Sequence, residues 1–92
     1  MRAREVPRRW TAVVTVAGYG PMAGSFSEHD RHDDQIMHAA HEALRLMRGS
    51  GAAFGVIDLF ENTEEHGNRR VEQRIVRVDQ RGIVVSANLL GG

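Results

Sequence analysis

A chain of 92 residues makes one domain with room for a single modest core. It contains no cysteine, which excludes a disulfide framework and thiolate metal sites and makes a reducing, cytoplasmic setting the default expectation. Twelve basic residues, all arginine, balance twelve acids, so no net field draws this arginine-rich chain toward nucleic acid or a membrane surface.

The chain opens on a basic arm, 1–9, in which Arg2, Arg4, Arg8 and Arg9 face one acid, Glu5, and Pro7 favours extended backbone. Arg8 and Arg9 before an apolar stretch loosely imitate a secretion signal. The apolar part is short and alternates with threonine, so residues 10–17 read as a first strand. Gly18, Gly20, Pro21 and Gly24 then predict a turn-dense loop around Tyr19 and Met22, with a short extended piece possible at 23–26. The glycine spacing departs from the dinucleotide fingerprint, and the phosphate-cradling loop needs a lysine that the chain lacks.

Residues 27–48 carry the strongest periodicity. Ile36, Ala40, Leu44 and Met47, widened by Met37 and Ala43, form one apolar stripe. Asp34, His38, His41, Glu42, Arg45 and Arg48 lie opposite. Ser27 is the expected N-cap, paired with Asp30, and Gly49 or Gly51 the expected stop. Strands are expected at 53–60, 69–78 and 83–89. A polar, acidic connection at 61–68 and a glycine-closed turn at 79–82 separate them. No apolar run approaches the ~20 residues of a membrane span.

The order β-α-β-β-β implies an α+β two-layer sandwich: one mixed sheet of about four strands under one long helix, with residues 10–90 as core. One helix shields one face of a sheet, yet these strands are apolar on both sides. Val14 and Val16 oppose Val13 and Ala17; Phe54, Val56 and Phe60 oppose Ile57 and Leu59; Val85 opposes Val84. The expectation is a sheet face, assigned to Trp10, Val14, Val16, Phe54, Val56, Phe60 and Val85, that another copy of the chain covers. The N-terminal arm and the glycine loop folding back are the alternative cover.

Charge is segregated along the chain, with basic stretches at the arm and at 69–81 and acidic ones at 28–34 and 58–65. This suits register-fixing contacts with a protein partner. The function expected from these features is a small non-catalytic module that forms a homo-oligomer, a dimer by preference, and binds a protein partner without any cofactor. A rival is nucleic-acid binding by Arg2, Arg4, Arg8, Arg9, Arg69, Arg70, Arg74, Arg77 and Arg81, with Trp10 or Tyr19 for stacking. A third is a metal site at Asp34, His38 and His41 on the polar helix face, although two imidazoles at i, i+3 do not complete one. No serine, histidine and acid stand in a nucleophile motif, so no catalytic residue is assigned.

Overall fold

The computed structural model describes residues 8–27 and 29–91. It shows the expected α+β sandwich: one helix on one face of a sheet. The sheet has five strands and is antiparallel throughout, where a mixed sheet of about four strands was expected. Strands β1 (Trp10–Val16), β2 (Gly20–Gly24), β3 (Gly55–Thr63), β4 (Gly67–Asp79) and β5 (Gly82–Val85) lie in the order β2-β1-β3-β4-β5. The helix α1 (His32–Ser50) falls between β2 and β3 in the chain.

The glycine loop explains the difference. Gly18 (φ 96°) and Gly20 (φ 70°) take a conformation that side chains resist. With the bond from Tyr19 N–H to the Val16 carbonyl, they reverse the chain so that 20–24 pairs back onto β1. The helix therefore starts at the end of the sheet where β1 began, runs its length, and delivers β3 antiparallel to β1. A strand–helix–strand unit without that hairpin would have given the parallel pair.

The helix begins five residues later than its capping signal. Ser27 is buried and its Oγ accepts from the His29 N–H, closing a local turn rather than the helix. Asp30 is used across the chain: its carboxylate accepts the backbone N–H groups of Arg9 (2.6 Å) and Trp10 (2.9 Å), clasping the start of β1. The fully buried Gln35 holds this segment down. It accepts from the Phe26 N–H and donates to Ser25 Oγ. The helix ends as expected, with Gly51 at φ 74° and its N–H on the Met47 carbonyl.

The sheet's register sorts its two faces. On the helix side run the rows Gly24–Ala12–Leu59–Glu72, Met22–Val14–Ile57–Arg74 and Gly20–Val16–Gly55–Val76–Val85. The core is Ala12, Val14, Val16, Ile57, Leu59 and Val76 against Ala39, Ala40, Ala43, Leu46 and Met47. The buried helix face is thus turned from the predicted stripe toward the alanines, leaving Met37 half exposed and Leu44 half-buried. Alanines let the helix sit close. A Cβ added to Gly55 would lie 3.1 Å from Val16 Cγ2 and 3.3 Å from the Ala43 Cβ, so this glycine is where helix and sheet nearly touch.

Two further departures concern the hairpins. The acidic connection at 61–68 is largely strand, because β3 and β4 stay paired out to Thr63 and Gly67. A register shift between Leu59 and Phe60, opposite Val71, bends β4 there. Beyond β5 the chain keeps tracking β4 by side-chain bonds. The Ser86 N–H meets the Ile75 carbonyl while Ser86 Oγ accepts the Ile75 N–H, and Asn88 Oδ1 accepts from the Gln73 N–H while its amide donates to the Val71 carbonyl. Residues 1–7, most of the basic arm, lie outside the described residues.

Candidate functional site

Two surfaces follow from this arrangement, one on each side of the sheet. The first is the face without a helix. Alternation along the strands puts Thr11, Val13 and Thr15 of β1, Val56, Asp58 and Phe60 of β3, Gln73, Ile75 and Arg77 of β4, and Val84 of β5 on it. The first eight are half-buried by one another, Arg77 and Val84 are exposed, and no described helix or loop lies over them. Phe54, 52 % exposed, and Leu89, 51 % exposed, extend its apolar area toward one corner. Asp58 is held by Arg70 (3.2 Å) and by the Gln73 amide (3.0 Å).

The residues assigned to one sheet face from the sequence divide between the two. Val14 and Val16 lie fully buried beneath the helix, and Val85 and Trp10 are on that side as well. Only Phe54, Val56 and Phe60 belong to the open side. The error lies in cross-strand phase: Val14 pairs with Ile57 and Thr15 with Val56, so the side-chain period within each strand was right and the relation between strands was not. The glycine loop does not cover the open face, because it is spent as an edge strand.

The predicted basic patch is also divided. Arg2 and Arg4 lie outside the described residues. Arg8 donates to the Ser27 carbonyl, and Arg9 pairs with Glu61 (2.7 Å) and stacks over the Trp10 ring. Arg70 and Arg77 are on the open face, Arg69 and Arg74 on the helix side, and Arg81 is in the β4–β5 turn. The described members form no single track. As for the metal reading, Asp34 lies 4.0 Å from Arg31, and His38 and His41 are exposed. Among the described residues no three histidine or acidic side chains converge in a way that could hold a metal ion.

The second surface was not foreseen. The helix lies over β1 and β3, so the helix side of β4 and β5 is left partly open, and a groove of about 490 Å³ runs between α1 and those strands. Its walls are Ile36, Met37 and Ala40 of the helix and Ile83 and Val85 of β5. At one end stands a polar network. The carboxylate of Glu72, 8 % exposed, accepts from Arg74 Nε (3.0 Å) and Nη2 (2.5 Å) and meets His32 Nε2; Arg74 Nη1 donates to the Ser86 carbonyl. His32 Nδ1 is 2.9 Å from Asp33, and the imidazole packs edge-on against Trp10. The one signal for this in the sequence was the alternation of Glu72, Arg74, Val76 and Val78 on one side of β4. Nothing announced that His32, forty residues away in the chain, would close the network.

Acid should weaken the helix at its first turn and at its middle. The His32 imidazole holds the exposed Asp33 carboxyl below its ordinary 3.8, and Arg45 holds Glu42 below its ordinary 4.5. The unfolded chain then binds these protons more readily than the folded one. The contribution is complete above about pH 4.5 and is lost as pH falls through the lowered folded values. Through these two carboxylates, urea midpoints should decline as pH falls below about 4.5. The Glu42→Gln variant should show a shallower decline.

No family model matches the chain, and no curated protein or solved structure matches it. Among the described residues no helix is long and apolar enough to cross a membrane.

Proposed function

We infer that the protein is a non-catalytic interaction module whose partner on the open sheet face is a second copy of itself. The observation that carries this is the uncovered cluster of Val13, Val56, Phe60, Ile75 and Val84, flanked by Phe54 and Leu89. Contiguous apolar surface of this kind is normally a binding site.

Charge supports a two-fold pairing. Asp58 and Arg77 lie on opposite sides of the paired residues Val56 and Ile75, because β3 and β4 are antiparallel. A two-fold axis crossing the strands at that pair brings Arg77 of one copy over Asp58 of the other, across a gap of about 10 Å that side chains fill. The area is modest. Five strands about 4.8 Å apart and roughly six residues deep present about 400–500 Å² per copy. That falls at the low end for specific association, so the dimer should dissociate in the micromolar range rather than be obligate.

Light scattering coupled to size exclusion tests the proposal. The protein at tens of micromolar should run as a dimer, and Ile75→Glu, which puts a charge at the centre of the face without touching the core, should run as a folded monomer. A parent protein that stays monomeric at that concentration would remove the self-association reading.

A further inference from the structure

We propose that the groove between α1 and β5 is a binding site for a small amphipathic monocarboxylate, its apolar body along Ile36, Met37, Ile83 and Val85 and its carboxylate at Arg74.

Size and shape come first. About 490 Å³ lies within the range of ligand pockets, and between the polar groups at one end and the exposed His41 the walls are apolar. A ligand that fits must therefore be greasy over most of its length and polar at one tip.

The chemistry of the tip follows from what is already used there. Glu72 has both oxygens engaged, one by Arg74 and one by His32, so it has little capacity left to accept. Arg74 carries five N–H donors, and three of its bonds are accounted for, two to Glu72 and one to the Ser86 carbonyl. Its side chain, 24 % exposed, lines the groove and keeps two N–H donors to offer. His41 also lines the groove, about two and a half helix turns from His32 and so away from this tip. The spare donors of Arg74 call for an acceptor, and a carboxylate suits the guanidinium fork better than a neutral group does. Among the described residues, Asp33 is the one acid that also lines the groove. Its side chain is 95 % exposed, so it projects into water, and it is countered by His32. Glu72 in turn fixes Arg74 in place, so binding needs no ordering of a long side chain.

The isoleucines make the site readable. The chain has four: Ile36 and Ile83 line the groove, Ile57 is in the core, and Ile75 is on the opposite face. Isoleucine-methyl NMR titrated with octanoate should shift Ile36 and Ile83 saturably and leave Ile75 unmoved. Octan-1-ol should bind at least about 5-fold more weakly, because it lacks the charge-assisted bonds, and octylamine more weakly still. Val85→Trp, which fills the groove from an edge strand, should abolish the shifts, and Arg74→Lys should weaken octanoate while leaving octan-1-ol unchanged. Failure of Ile36 and Ile83 to saturate would overturn the proposal. So would shifts confined to Ile75, or equal binding of octanoate and octan-1-ol. Dimerisation is measured on the other face by another method, so either idea can fail without the other.

Discussion

Leu59→Ala is expected to lower the unfolding free energy by about 2–5 kcal/mol, the usual range for deleting a fully buried leucine side chain beyond Cβ. Leu59 is 0 % exposed and sits in the ladder between Ala12 and Glu72 under the helix. A domain of this length has about 5–14 kcal/mol in total, at roughly 0.05–0.15 kcal/mol per residue, so this one change takes a large share. Few large side chains stand in reserve, because the helix contributes mostly alanines to the core. The control is Val56→Ala on the open face, three residues earlier in the same strand. It should cost under about 1.5 kcal/mol in dilute, monomeric protein, since it leaves no enclosed cavity. Urea denaturation of the two variants at neutral pH decides it. Equal losses would mean that the helix does not single out one face.

The other large effect is expected at the Glu72 network. Arg74→Met strands the carboxylate of Glu72, a residue 8 % exposed, with His32 its one remaining partner among the described residues. Breaking a buried pair from one side costs about 3–5 kcal/mol, and the partial exposure of Arg74 places this case toward the lower figure. Glu72→Leu combined with Arg74→Met removes both charges and should recover most of the loss, since an ion pair replaced by apolar groups of similar volume is often neutral. The measurement is a double-mutant cycle in urea. A double variant no more stable than Arg74→Met alone would show that the arginine acts through packing rather than by neutralising Glu72.

Much of the architecture could be read from residue type and spacing, and the points where reading stopped have physical causes. Residues 10–17, 53–60, 69–78 and 83–89 announced four strands by alternation, and each overlaps one that forms. The helix announced itself by period, but its start did not. Ser27 satisfies the rules for a cap and is used for a nearby turn instead, because Gln35 and Asp30 bind the same segment to other parts of the molecule. Of β2 only residues 23–24 fell within the extended piece read at 23–26, because Gly20, Pro21 and Gly24 carry little strand propensity; pairing with β1 along five residues overrides it. The uncovered face followed from counting helices. Its membership did not, because the phase between strands is set by turn geometry rather than by composition. The groove was invisible for the same reason: it depends on which two strands the helix covers, a consequence of sheet order.

The side-chain bonds that follow β5 bear on how far assembly can proceed. Ser86 and Asn88 occupy backbone groups of β4 that an incoming strand would otherwise seek. At the far border β2 is five residues long and includes Pro21, which brings no N–H to a ladder. With β5 itself only four residues long, both flanks of the sheet are poor templates for growth. If copies pair through the open face as proposed, such borders would favour closure at two copies over edge-to-edge growth into fibrils.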